Sequence, residues 1–164
     1  MKEMFSVAVL TIACFIPAAP STAADTTTLL IIPGIPGESH LVGYENAIDV
    51  YSITQSFAVG SKAAAACTVA VTKGIDRSGP LLWAAAVTGQ TLPEVRVDIL
   101  RAGDVPLRFY TLTLTNANVV SITSSPSTLT ESLTLAGASA TISYYPQRPD
   151  GSLGPPVTST ATCK

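Results

Sequence analysis

From Asp25 onward the chain alternates apolar with hydroxylated or charged residues at a period of two. That is the spacing at which successive side chains point to opposite faces of a strand. Cys67, Val69 and Val71 share one face of a segment whose other face is Thr68, Ala70 and Thr72, and Gly74 ends it. Val95, Val97 and Ile99 alternate with Arg96 and Asp98, before a turn at Ala102-Gly103-Asp104. Tyr110, Leu112 and Leu114 alternate with threonines, and a short strand from about Val119 to Thr123 follows Asn116-Ala117-Asn118. Leu129, Leu133 and Leu135 share a face that Glu131 interrupts; Ala138, Ala140, Ile142 and Tyr144 close the series before Pro146. Tyr44 to Phe57 also reads as a strand, its buried side open between Ile48 with Val50 and Tyr51 with Ile53. Ala58 to Ala66 reads as a loop. From about residue 152 the tail carries Pro155-Pro156 and a Ser/Thr-rich end, an edge strand or a flexible segment.

Two stretches break the alternation. Ser78 to Gly89 reads as the one helix: Ser78 is the N-cap, Pro80 sits in the first turn, and Gly89 supplies a left-handed C-cap. Trp83 and Val87 lie four apart on one face, which predicts Trp83 as the anchor of that helix in the core. The other stretch is Leu29 to His40, LLIIPGIPGESH. Its apolar run ends where Pro33 and Pro36 withdraw backbone donors and Gly34 and Gly37 permit positive φ, so a strand must stop and the chain must turn. The strand series with one helix predicts a mainly β fold, a small antiparallel barrel or sandwich of about seven to nine strands with one flanking helix.

Residues 1–24 stand apart. Lys2 precedes an apolar run from Phe5 to Ile16, too short to span a bilayer, and Ser21-Thr22-Ala23-Ala24 offers the small residues a signal peptidase requires. These features predict a cleaved signal peptide and a single domain over residues 25–164, with no integral membrane segment after processing; a lipoprotein site at Cys14 is the alternative. The predicted location is periplasmic or extracellular. Net charge is −2, and losing Lys2 and Glu3 together leaves it unchanged, so no polybasic surface invites nucleic acid. Cys67 and Cys163 remain in an oxidising compartment and form a candidate disulfide, against the alternative of a core thiol and a terminal one.

The search for chemistry returns little. His40 is the single histidine, so a Ser-His-Asp triad would have to use it, and Ser39 beside it in sequence says nothing about geometry. The chain lacks G-x-S-x-G, CxxC, HExxH, P-loop and GxGxxG patterns, and its carboxylates are scattered. The prediction is no enzyme, no cofactor, no metal site and no catalytic residue. Glu131 among leucines is read as paired across strands with an arginine such as Arg96 or Arg108, or as lying on an exposed face or an interface.

Several motifs in order carry a family resemblance. IIPGIPGES is similar to the strand-then-GIxGES signature of the Hcp (haemolysin-coregulated protein) family of type VI secretion. AIDVYSITQS resembles that family's following strand. GIDRSGPLLWAAAVTGQTLPEVRVDILRAG resembles its Asp, Ser-Pro, helix, Gly, long strand and Ala-Gly run. ESLTLAGASATISYYPQRPDGSLGPP resembles its closing hairpin and Gln-x-x-Asp-Gly turn. The resemblance implies a barrel with one flanking helix, assembling as a homo-hexameric ring that stacks into a tube and can hold small effectors, with type VI spike components as further partners. It implies no catalytic residue and places Glu38, Ser39 and His40 in a ring-contact loop. Two features depart from the pattern: the signal-like leader, and a stretch from Phe57 to Ala66 shorter than the family's loop. The alternative reading is a monomeric exported binding module that kept only the barrel; a hydrolase using Ser39 or His40 is a third.

Overall fold

A computed structural model describes residues 25–58, 66–102 and 106–163. The leader at 1–24, most of the loop between Phe57 and Ala66, and the turn after Ala102 lie outside the described residues. The elements run β1 (Thr26–Ile31), β2 (Ile48–Ala58), β3 (Ala66–Gly74), α1 (Ser78–Thr88), β4 (Leu92–Arg101), β5 (Leu107–Ser125), β6 (Thr130–Tyr144) and β7 (Val157–Thr162). Six strands close a barrel in the order β3-β2-β1-β4-β5-β6, with β6 returning to β3, and every pairing is antiparallel. β7 lies outside, on β6. The predicted barrel with one flanking helix is the observed fold.

The hydroxyl-apolar alternation is what closes it. Leu30, Val69, Val71, Val95, Val97, Leu112, Leu114, Leu133 and Leu135 fill the interior and are essentially inaccessible, each worth roughly 1.5–3 kcal/mol on burial. The ambiguity in β2 resolves through a register shift between Val50 and Ser52. Ile48 and Val50 point inward before it, and Ile53 packs against the core after it, while Tyr51 is 69% exposed. The strands predicted separately around Tyr110 and Val119 form one 19-residue strand, β5. Within it Asn116 takes φ 46°, a region its short polar side chain tolerates, and the register with β6 shifts between Val119 and Ser121. β6 is likewise continuous. Along one edge it pairs with β3 from Thr130 to Gly137, then with β7 from Ser139 to Tyr144.

The helix forms where predicted, with two corrections. Arg77 occupies the N-cap position and Ser78 is the first helical residue; the capping carboxylate comes from Asp76, one residue earlier, whose Oδ1 accepts from Ser78 N at 3.0 Å and from Ser78 Oγ at 2.5 Å. Gly89 takes φ 67° at the C-cap as expected. Trp83 is not the core anchor. Leu82 and Ala85 pack onto the barrel, leaving Trp83 61% and Val87 67% exposed. The shared face of Trp83 and Val87 is therefore the outer one.

Glu131 also finds a different partner. Arg96 and Arg108 both face Asp98, at 3.3 and 3.7 Å. Glu131 lies opposite Lys73 in the β3–β6 register, with Oε2 2.6 Å from Lys73 Nζ. The approach is a close charge contact that lacks hydrogen-bond alignment at Oε2. Lys73 is fully buried and donates to Asp76 Oδ1 at 2.7 Å and to Gly74 O at 2.9 Å, while Glu131 Oε1 accepts from Ser124 Oγ at 2.9 Å. The triad thus joins the barrel-closing pair to the residue that caps α1. Lys73→Met removes the only cation from this cluster and leaves two carboxylates facing each other. It is expected to lower unfolding free energy by about 3–5 kcal/mol in urea titration, with part recovered in Lys73→Met/Glu131→Gln; a loss within about 0.5 kcal/mol would show the triad to be neutral.

Candidate functional site

The predicted site residues Glu38, Ser39 and His40 follow a turn built by the prolines and glycines. Ile35 N donates to Ile32 O at 3.0 Å across Pro33 and Gly34, and Gly34 takes φ 83°, as the third position of a type II turn requires. Gly37 serves another purpose. Its backbone runs against 46–48: Gly37 N donates to Asn46 O at 2.8 Å, and a Cβ there would lie 2.6 Å from Ile48 Cα. The second Pro-Gly pair therefore marks a close backbone approach rather than a positive φ.

Residues 37–47 fold back as a flap. Ser39 N donates to Ala47 O, and Asn46 N to Ser39 O, both at 3.0 Å. The flap covers the outer face of β1 and β4, where Leu29, Ala47 and Leu100 form a second small core with Ile31, Leu41 and Tyr44 against it. β1 is thus apolar on both sides, Leu29 and Leu30 each at 0% exposure. Asp98 lies across from Leu29 in the β1–β4 register and accepts from Thr111 Oγ1 at 2.9 Å. Burial, and then the nearby Asp98 carboxylate, raise the Tyr44 phenol above its ordinary pKa.

Arg77, at the foot of the helix, holds the flap from below. Its Nε donates to Gly37 O at 2.6 Å, its guanidinium bonds Asn46 Oδ1, and its backbone N donates to Glu38 Oε1 at 3.2 Å. Glu38, Ser39, His40, Glu45, Asn46 and Arg77 line an open depression of about 370 Å³. Glu38 and His40 are exposed, whereas Ser39 is buried and its Oγ accepts from Leu41 N at 3.4 Å. Backbone hydrogen bonds hold the Glu45 carboxyl below its usual range. Polar groups here are spent on backbone, and among the described residues no hydrogen bond joins Ser39 to His40. Nor do three His, Cys, Asp or Glu side chains converge on a metal-sized site among those residues. The depression can offer polar and charged contacts to a neighbouring surface. Sequence reasoning missed Arg77 and Asn46; the only signal was an arginine just ahead of the helix.

The cysteines lie elsewhere. Along β6, Cys67 is opposite Gly137 and Cys163 N donates to Ala138 O at 2.7 Å. The end of β7 therefore meets the start of β3 head to tail, with Cα atoms of Cys67 and Cys163 5.7 Å apart, a separation a disulfide spans.

A family model described as "Type VI secretion system effector, Hcp" matches residues 29–144. The chain belongs to the Hcp family. Among solved structures it is similar to Hcp1 from Salmonella typhimurium, at 22% identity and TM-score 0.69, covering 84% of this chain and 94% of that one. It is also similar to a type VI secretion system effector from Yersinia pestis (20% identity, TM-score 0.68, 82% and 98% covered). The secreted protein Hcp3 from Pseudomonas aeruginosa is alike at 19% identity and TM-score 0.65, with 85% and 99% covered. No curated protein matches the chain. At these identities the structural likeness establishes the Hcp fold, and the flap and the second half of β1 fall within the family match. Gly37→Ala sets a methyl against backbone that cannot yield, and is expected to cost about 2–3 kcal/mol. Urea titration and proteolysis within 37–47 check it; an unchanged midpoint would show that the flap does not need this approach.

Proposed function

We propose that this chain is a non-enzymatic, exported Hcp-type component that assembles into homo-hexameric rings able to stack and to carry small effector proteins, with type VI spike components as further contacts. The observation that carries the reading is the family match over residues 29–144, joined to a closed barrel that spans nearly the whole length of the solved Hcp chains. A barrel of this kind has little concave interior for a substrate, because Leu30, Val69, Leu112 and Leu135 fill it. Its surfaces are instead built for contact: Glu38 and His40 stand exposed on a braced flap, and β7 presents an exposed edge strand. Glu38, Ser39 and His40 are assigned to the ring contact. No helix among the described residues is long and apolar enough to cross a membrane.

Export is read from residues 1–24 and makes the covalent link between Cys67 and Cys163 part of the proposal, since oxidising compartments sustain disulfides. A monomeric exported module that kept only the barrel is the competing function. Light scattering on residues 25–164 decides between them: a mass that is a multiple of six protomers is expected, and a strictly monomeric species at high concentration overturns the ring. Thiol titration of the same protein, unfolded without reductant, is expected to find no free thiol and, after reduction, two. Two free thiols before reduction would remove the disulfide, and with it one support for export.

A further inference from the structure

Lys73 and Glu131 face each other across the seam where β3 meets β6. Directly opposed residues of an antiparallel pair have Cβ atoms about 5 Å apart, so two long side chains meet there without moving either strand. Lys73 Nζ lies 2.6 Å from Glu131 Oε2, yet the contact lacks hydrogen-bond alignment and Oε2 has no hydrogen-bond partner. A buried ion pair normally spends its charges on aligned hydrogen bonds; here Nζ does so with Asp76 Oδ1 and Gly74 O instead. The groups around the pair are placed as an acyl-transfer site places them. Ser124 Oγ donates to the other carboxylate oxygen, Oε1, at 2.9 Å. Asp76 Oδ1 accepts from Nζ at 2.7 Å and is itself fixed by Ser78 N and Oγ. The first turn of α1 covers the carboxyl carbon, since a Cβ on Gly79 would lie 3.1 Å from Glu131 Cδ. Lys73 has no exposed surface and Glu131 is 6% exposed, so little water reaches the pair.

We infer that Lys73 and Glu131 condense into an intramolecular amide, a covalent staple across the barrel seam for which the charged triad is the unreacted state. One proton passes from Nζ to Oε2, leaving a neutral amine against a carboxylic acid. The amine lone pair then forms the Nζ–Cδ bond as the carbonyl π pair moves onto Oε1, where the Ser124 hydroxyl holds it. Asp76 Oδ1 takes the second proton from the nitrogen and passes it to Oε2. The Cδ–Oε2 bond breaks, water leaves, and Asp76 ends as it began. Nothing is oxidised or reduced, and no co-reactant is needed. Two effects favour the product. Two charges kept from water become one neutral amide, and the fold presents amine to carboxyl at an effective molarity on the order of 10⁵ M or more. Asp76 is not the acyl partner, because its Oδ1 is committed to three hydrogen bonds, from Nζ, Ser78 N and Ser78 Oγ. That is the setting of a base rather than an electrophile. The reaction is a single event of the chain on itself and is independent of ring formation. It fastens the end of β3 opposite to Cys67.

Intact-mass spectrometry of the reduced, denatured chain tests it. Protein that has folded and been incubated is expected to weigh one water less than its sequence. Reduction comes first because a Cys67–Cys163 bridge joins the same two tryptic peptides, the one ending at Arg77 and the one beginning at Phe109. In the reduced digest those peptides are expected to stay joined through an uncleaved Lys73, with fragmentation placing the bond on Glu131. Protein recovered from inclusion bodies and held in urea is expected to keep its full mass until it is refolded. Ser124→Ala, at an exposed strand position, is expected to fold and to form the bond roughly 10²-fold more slowly. Lys73→Met is expected to keep its full mass. A folded, incubated wild-type chain of full mass overturns the inference without recourse to any variant. A water loss that survives in Lys73→Met, that maps to any carboxyl other than Glu131, or that proceeds equally in urea also overturns it. An unchanged rate in Ser124→Ala overturns the role given to that hydroxyl.

Discussion

Lys73 is an ammonium group with no access to water, and the architecture around it depends on how its charge is answered. Taking such a charge out of water costs several kcal/mol even after relaxation. The repayment comes from both sides at once: Glu131 on the strand that closes the barrel and Asp76 in the turn that starts the helix. Each anion would be a liability alone. Asp76 also caps α1 through Ser78, and a Cβ on Gly79 would lie 2.8 Å from Glu131 Oε1, so the helix must begin with a residue that leaves room for the carboxylate. Barrel closure, helix placement and charge balance are therefore one arrangement, not three. Hydrophobic burial makes the barrel compact; the triad is satisfied in the β3–β6 register that sets Lys73 opposite Glu131.

The flap over β1 extends the same economy of residues. LLIIPGIPGESH ends a strand, turns, and supplies the lid under which Leu29 can be apolar on the barrel's outside. Arg77, adjacent to the capping Asp76, ties that lid to the foot of the helix. The surface assigned to neighbouring subunits is thus braced by the element next to the buried charge. The exposed Glu38 and His40 sit on backbone held from two sides.

Much of the fold was legible because strand periodicity is local. Cys67, Val69 and Val71, or Leu112 and Leu114, announce their inward face without help from the rest of the chain. Gly89 declared the end of the helix for the same reason. What could not be read was anything decided across the sheet. Glu131 looked orphaned because its cation is 58 positions earlier on a strand whose pairing no local pattern encodes, and two arginines nearer in sequence were the obvious alternatives. Trp83 misled because helical spacing reveals that Trp83 and Val87 share a face, not which way the face looks. When a helix is apolar on every side, its phase is set by the barrel beneath it. The ambiguous face of β2 had a similar cause, a register shift opposite β3. At the flap, the motif marked the turn and the family, while Arg77 and Asn46 emerged only once β2 and the helix were brought against it.

The partner exchange along β6 has a kinetic side. β3 is an edge of the growing sheet, and the strand that covers that edge, β6, begins only at Thr130. As the chain emerges, β1, β2 and β3 can assemble early, but they wait through α1, β4 and β5 with a β-branched, charge-poor margin open to water. Loop closure over that separation is slow, and an open margin of this composition recruits whatever strand arrives first. The fold therefore has a vulnerable interval written into its topology, and a cell that makes this protein in quantity must shield the half-built barrel or move it along before two of them meet.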